Sequence, residues 1–483
     1  MNYKMMGRFL AQIIAIEGVF MLPALGISLG YGEWNAVKGF GLTLCIILAL
    51  GSLLFLLCRK SGRLFGAREG FVCVSFSWVT LSLLGALPFT LGGIVPNYID
   101  AVFEIVSGFT TTGASILSDV EALPRGLLYW RSFSNWLGGM GVLVFLLAVA
   151  PSGGKGFTMH LLRAESPGPD VGKLVPKMRQ TAIILYLIYL ALTVTDFIFL
   201  LCGGMPVFYA VCTALSTAGT GGFGIMNDSF VSFTPYIQWV TAVFMFLFGI
   251  NFSCYYLILL RQIRGVFKDE ELRLYLVIAI AATVLIAANI LPMCDNLGEA
   301  IRHASFQVSS VITTTGFSSM DFDQWPVFSK AILLFLMITG GCAGSTAGGL
   351  KLSRVLLLFK SLRRNIRKIL NPSKVQVVRN NGKPVDEQVL DNTNAYLAAY
   401  VIIIIVTFLL LSLDQFDITT NLSATLCCFN NIGPGLGAVG PMCNFAGYSD
   451  FSTIVLTLAM LLGRLEIFPM LILLSRSTWK RHS

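Results

Sequence analysis

The sequence predicts an all-α polytopic membrane protein: two N-terminal helices plus four helix–half-helix–loop–helix repeats around a pseudo-fourfold pore. Three observations carry this reading. Of 483 residues, 55% are hydrophobic and only 12% charged, with mean hydropathy +0.76, against about 25% charged in a soluble domain. Apolar runs long enough to cross hydrocarbon recur along the chain. One polar stretch, Ser107 to Ser115, has three relatives: Ser216-Thr217-Ala218-Gly219-Thr220-Gly221-Gly222-Phe223, Ser310-Val311-Ile312-Thr313-Thr314-Thr315-Gly316-Phe317 and Cys427-Cys428-Phe429-Asn430-Asn431-Ile432-Gly433-Pro434. Aligned on Gly113, Gly222, Gly316 and Gly433, they place a small residue (Ser107, Ser216, Ser310, Cys427) six positions earlier and a polar one (Thr111, Thr220, Thr314, Asn431) two earlier. A unit of roughly a hundred residues has been used four times.

Residues 7–28 and 38–57 read as the first two spans, within a leading unit 1–69 that carries no copy of the motif. The first span is read as retained, because it is long and lacks a small-residue cleavage site. Arg59, Lys60, Arg63 and Arg68 follow the second span and mark the cytoplasmic side, which also puts the N-terminus inside. Glu17 is a costly carboxylate at membrane depth and is expected to pack against a polar neighbour.

Repeat 1 (70–179) has a span at 71–92, a half-helix at 99–109 too short to cross the bilayer, the polar loop, and an inner element at 128–150. Its basic cytoplasmic loop, 151–179, follows. Repeat 2 (180–271) has a span at 180–202, a half-helix at 206–217 and an inner helix at 235–260. Trp130 and Trp239, equally spaced after their glycines, read as interface anchors. Repeat 3 (272–393) has a span at 273–292, a half-helix at 298–312, and an inner helix from 327 interrupted by Gly340-Gly341-Cys342-Ala343-Gly344-Ser345-Thr346-Ala347-Gly348-Gly349. Five glycines at about 1 kcal/mol each disfavour regular helix there. The basic segment 360–393 is the largest cytoplasmic loop. Repeat 4 (394–483) has a span at 394–413, a half-helix at 417–429 and an inner helix at 451–474, then an internal basic tail. With ten spans and four re-entrant segments, every basic loop falls on one side.

The net charge of +9 therefore reports topology; no aromatic-interleaved basic patch or nucleic-acid motif is visible. The 11 cysteines lack metal-ligand spacing and the 3 histidines lie far apart, so no enzyme site, bound cofactor or nucleic-acid partner is expected.

Irregular backbone at membrane depth must be buried or line water. Four such loops can surround one axis and offer carbonyls in place of a cation's hydration shell. Threonine hydroxyls add oxygens, and each half-helix directs its negative end at the loop. The loops hold no Arg or Lys, so an anion is not favoured.

The Thr-Thr-Thr-Gly-Ala, Gly-Thr-Gly-Gly-Phe, Thr-Thr-Thr-Gly-Phe and Asn-Asn-Ile-Gly-Pro-Gly stretches resemble the four filter segments of the Trk/Ktr/HKT potassium transporter superfamily. The two extra N-terminal spans, the glycine-rich break and Gly463-Arg464-Leu465-Glu466 look most like the Trk-type pore subunit of bacteria. The resemblance implies a potassium filter at Thr111, Thr112, Gly113, Thr220, Gly221, Gly222, Thr314, Thr315, Gly316, Asn431, Ile432 and Gly433. Glycine at all four central positions implies potassium over sodium. The resemblance further implies a homodimer in the bacterial inner membrane. A cytoplasmic ring of RCK-domain regulators would bind nucleotide in place of this chain, contacting 360–393 or 151–179. Gating falls to Gly340, Gly341, Gly344, Ser345, Thr346, Gly348 and Gly349, and to Arg464. Arg464 is placed near the middle of the last inner helix, where a cation is most costly and would repel ions below the filter. The competing function is a proton- or sodium-coupled potassium symporter, for which Glu17, Glu104, Asp196 and Glu466 are the available membrane acids.

Overall fold

The computed structural model describes residues 3–58, 67–141, 178–373, 376–475 and 479. The basic clusters expected at 59–66 and within 142–177, and most of the basic tail, lie outside the described residues. Two leading helices, α1 (Tyr3–Gly30) and α2 (Trp34–Leu57), pack on each other and on α3 (Ala67–Leu91). Three more long outer helices open the later repeats: α6 (Met178–Cys202), α11 (Glu270–Ile290) and α15 (Glu387–Leu411). By length and composition, these six can cross a membrane.

The half-helices are α4 (Tyr98–Phe109), α7 (Val207–Gly219), α12 (Leu297–Ile312) and α16 (Ile418–Asn430). Their starts follow local chemistry. The side chains of Asn97, Asn296 and Asp417 accept from the amides of Ile99, Glu299 and Thr420 at 3.0, 2.9 and 3.1 Å, satisfying donors that a helix start leaves free. Pro206 precedes α7 instead. At these N-termini the half-helices match the sequence reading to within a residue.

The inner helices depart from it. They are α5 (Arg125–Gly139), α8 (Pro235–Phe248), α13 (Val327–Thr339) and α17 (Asp450–Arg464), of 15, 14, 13 and 15 residues. The expected continuous element 235–260 is α8 followed by α9 (Phe252–Leu259), bent by 87°. Gly249 caps the end of α8, and Asn251 starts the next helix by accepting from the Ser253 amide at 2.8 Å. The expected 451–474 helix is α17 followed by α18 (Ile467–Leu474), bent by 120°, with Glu466 at φ +59°. The first stops at Gly139, capped by Met140, and positions 142–150 of the expected element lie outside the described residues. After the third comes the glycine strip, then α14 (Leu352–Leu370). A short α10 (Ile263–Phe267) lies between α9 and α11, and the 360–393 segment closes with a two-residue hairpin, Arg379–Asn380 against Lys383–Pro384.

Two further expectations change. Trp130 is no interface anchor: it is fully buried, donates Nε1–H to the Gly85 carbonyl at 3.0 Å and stacks edge-on with Phe109. Trp239 is 40% exposed. Glu17 is buried beside Gly85, and among the described residues its carboxylate has no hydrogen-bond partner. A methyl group at Gly85 would press on Glu17, Ile105 and Phe109, at 3.0–3.1 Å.

Candidate functional site

The four polar loops adopt one conformation. Each half-helix ends in a left-handed cap at the residue two before the aligned glycine: Thr111 (φ 56°), Thr220 (51°), Thr314 (57°) and Asn431 (58°). The next amide then reaches back past the cap: Thr112 to the Ser107 carbonyl at 2.8 Å, Gly221 to Ser216 at 2.9 Å, Thr315 to Ser310 at 2.7 Å and Ile432 to Cys427 at 2.9 Å. Glycine or asparagine usually fills such a cap. A β-branched residue there is an outlier, so the three threonines mark strain that the surroundings must hold.

The glycines close the ring. Gly113, Gly222, Gly316 and Gly433 also have positive φ, 79°, 71°, 88° and 98°. A methyl group added to Gly113 would collide with the Gly221 carbonyl, one on Gly222 with that of Thr315, one on Gly316 with that of Ile432, and one on Gly433 would lie 2.9 Å from the Thr112 oxygen. Each glycine thus abuts the carbonyl just before the glycine of the next repeat, in the order one, two, three, four, one. Only a residue without Cβ permits this approach.

Hydroxyls brace the ring. Thr110 and Thr112 share a hydrogen bond at 2.8 Å, Thr313 and Thr315 one at 2.7 Å, and Asn431 donates to Thr112 at 3.0 Å. The Thr111 hydroxyl and the Asn431 amide oxygen are buried without a hydrogen-bond partner among the described residues. Above the ring, a cavity of about 160 Å³ converges on all four glycines. Four carbonyls and four half-helix C-termini meet at the ring, and the loops carry no cationic side chain. This chemistry suits a desolvated cation.

The comparisons agree on kind. A model of the TrkH family, described as a cation transport protein, matches residues 38–480. The chain belongs to this cation transport family. It is 35% identical to the Trk system potassium uptake protein TrkH of Salmonella typhimurium, over 99% of this chain and all of that protein. It is 34% identical to the TrkH protein of Escherichia coli K12 over the same shares. The crystal structure of the potassium transporter TrkH from Vibrio parahaemolyticus superposes with a TM-score of 0.89 at 32% identity, covering 99% of this chain and all of that one.

In this TrkH-family chain the glycine strip lies directly under the ring. The Gly348 amide donates to the Thr314 hydroxyl at 2.6 Å. The Cys342 amide donates to the Gly249 carbonyl at 3.1 Å, and the Phe252 amide to that of Gly344 at 3.0 Å, so the strip is fastened at the bend between α8 and α9. Thr346 donates to the Phe248 carbonyl at 3.2 Å. Gly340 and Gly349 sit back to back, both at positive φ. Within the strip, the Ser345 hydroxyl donates to the Cys342 carbonyl at 2.6 Å.

Arg464 is not mid-helix, as expected, but the last residue of α17. From there its guanidinium donates to the carbonyls of Thr346 at 2.9 Å, Gly139 at 2.8 Å and Gly138. It therefore joins three inner elements beneath the ring. Gly138 and Gly463 allow this convergence: a Cβ on either would collide with the carbonyl of Phe109 or Phe429, at equivalent places in half-helices one and four.

Sequence reasoning did not assign Glu271 and Arg354, which lie below the ring, or Arg131, which lines the cavity above it. Glu271 accepts from the Ala343 amide at 2.6 Å and so holds the strip from α11. Glu466 pairs with Arg354 of α14, whose guanidinium lies 4.0 Å over the Tyr396 ring. Arg131 forms a buried ion pair with Glu104. A cation in the interior of a largely apolar inner helix, well past Arg125 at its start, was the available signal for Arg131.

Proposed function

We propose that this chain carries potassium uptake across the bacterial inner membrane by channel-like permeation. The carrying observation is the closed ring, in which the carbonyls of Thr112, Gly221, Thr315 and Ile432 each meet the glycine of a neighbouring repeat. Thr111, Thr112, Gly113, Thr220, Gly221, Gly222, Thr314, Thr315, Gly316, Asn431, Ile432 and Gly433 form the filter in this reading. Dehydrating an ion requires replacement oxygens fixed in advance, and the left-handed caps with their amide bonds supply that rigidity. The names of the potassium-uptake relatives support the choice of ion.

The strip 340–349 and Arg464 act as the gate: the strip blocks the path below the ring, and Arg464 holds it while adding a repelling charge. The chain works as a homodimer with both termini cytoplasmic. A regulatory ring with nucleotide-binding domains docks on 360–393, where Arg363, Arg367 and Lys368 are exposed on α14. Of the acids available to a coupled symporter, Glu104 and Glu466 are engaged in ion pairs, which disfavours them as a proton relay.

The test is uptake by cells lacking their own potassium uptake systems. Expression of this chain restores growth at low potassium, and in vesicles the flux persists without a proton or sodium gradient. Failure to restore growth, with the protein present in the membrane, would overturn the reading.

A further inference from the structure

Outside the ring, the wall between repeats 1 and 2 contains a buried ion pair. Glu104 of α4 and Arg131 of α5 are 0% and 1% exposed. Arg131 donates Nε–H to Glu104 Oε1 at 2.7 Å, and Nη2 lies 2.6 Å from the same oxygen. The carboxylate also accepts from the Ser115 hydroxyl at 3.1 Å and the Ile116 amide at 3.0 Å, both just past the first ring glycine. On its other side, the guanidinium lies 4.1 Å from the centre of the Phe223 ring and donates to the Gly224 carbonyl at 3.4 Å, just past the second ring glycine. The pair thus joins the outer exits of two neighbouring loops.

Arg131 also lines the cavity above the ring, with Gly113, Gly222, Gly316 and Gly433. A permanently charged guanidinium is an unfavourable neighbour for an incoming cation unless its field is cancelled, since charges interact strongly in a low-dielectric wall. Hydrophobic residues could have joined the loops without this conflict, and buried ion pairs are often replaceable at no loss of stability.

We infer that Glu104 and Arg131 are positioning residues of the outer mouth: Arg131 fixes the exits of loops one and two, and Glu104 cancels its charge so that cations enter. The inference rests on the cation-pathway reading above for its consequence in transport, but the local potential can be measured without transport. Cys443 is exposed and lines the same cavity, so its thiol reports the field there.

The experiment uses the full chain with the exposed Cys45 and Cys202 replaced by serine, and Cys443→Ser as the blank. Cys443 is labelled in vesicles with a cationic and an anionic methanethiosulfonate reagent. In Glu104→Gln the ratio of cationic to anionic labelling rates falls by about threefold or more at low salt. The difference shrinks at 0.15 M salt, where the screening length is about 8 Å. The double variant Glu104→Gln/Arg131→Gln returns the ratio to that of the parent. An unchanged ratio in Glu104→Gln, or the same fall in the double variant, would overturn the inference whether or not the protein transports potassium. If Glu104→Gln does not reach the membrane, Glu104→Met/Arg131→Met gives the second reading: a neutral pair leaves the labelling ratio within about twofold of the parent, while loss of the Arg131 contacts to both loops shifts the KM for potassium well beyond about twofold. A shifted ratio, or an unmoved KM, would overturn it.

Discussion

Gly348 donates its amide to the hydroxyl of Thr314 at 2.6 Å, so the glycine strip is hydrogen-bonded to the ring itself. A methyl group on Gly348 would press on the Asn430 carbonyl and lie 3.1 Å from Asn431 Cβ. The strip is held elsewhere by single bonds to Phe248, Gly249, Phe252, Glu271, Leu352 and Arg464, each worth about 1–3 kcal/mol net. A strip held this way can be dislodged without unfolding the protein.

Gly348→Ala therefore displaces the strip from the ring. Potassium leak through the chain alone, measured as flux from loaded vesicles without regulatory partner, is expected to rise several-fold. Shortening 340–349 by two residues has the same effect through reach. A strip that is mere packing would give lower yield and unchanged flux per protein.

The four ring glycines are not equally tolerant. The added methyl is closest to a neighbouring carbonyl at Gly222 and Gly316, less close at Gly113, and 2.9 Å away at Gly433. Overpacking costs about 1–3 kcal/mol, and 1.4 kcal/mol is tenfold. Gly222→Ala and Gly316→Ala are expected to lower potassium uptake by about tenfold or more, Gly113→Ala by less, and Gly433→Ala least. Gly113→Ser additionally weakens preference for potassium over sodium, read as the ratio of the two uptake rates. Equal loss at all four positions would contradict the geometry.

The half-helices were legible in the sequence because their signals are local. Asn97, Asn296 and Asp417 start three of them, and a glycine stands two residues after each left-handed cap. The bends of the second and fourth inner helices were not legible. A hydropathy run continues across Phe248-Gly249-Ile250-Asn251-Phe252, while the bend is stabilised by a partner far away, Gly344. Arg464 was recognised as a cation beneath the filter, but its place at a helix end, with three carbonyl acceptors, depends on packing that no local pattern encodes. Glu104 was visible only as an isolated acid. Its partner lies one loop away, and two single charges in apolar segments do not announce a pair.

Arg464→Ala removes a charge from below the ring and frees the carbonyls of Gly138, Gly139 and Thr346. The positive charge and the bond to the strip both oppose cation flow, so single-protein conductance is expected to rise. Arg464→Lys keeps the charge but cannot reach three acceptors with a planar fork, and falls between. Thermal stability in detergent should drop in Arg464→Ala, because these hydrogen bonds join three inner elements. A stable variant with slower flux would oppose the gate reading.

Arg354 and Glu466 offer a test of how helix α14 communicates with the fourth inner helix. Glu466 sits at φ +59° in the 120° bend, a backbone that non-glycine residues adopt at some cost, and its carboxylate meets the Arg354 guanidinium stacked on Tyr396. The pair is largely shielded, with side chains 11% and 19% exposed, so screening weakens it less than a surface pair. Glu466→Gln and Arg354→Gln should each lower thermal stability. The double variant should lose less than the sum, with a coupling of about 1 kcal/mol or more in a double-mutant cycle. Glu466→Gly keeps the left-handed backbone accessible while deleting the ion pair. If the pair only supports the bend, Glu466→Gly should regain most of the stability lost in Glu466→Gln. If it transmits movements of α14 to Arg464 two positions earlier, Glu466→Gly should instead uncouple potassium flux from the regulatory partner, read as equal flux with and without it.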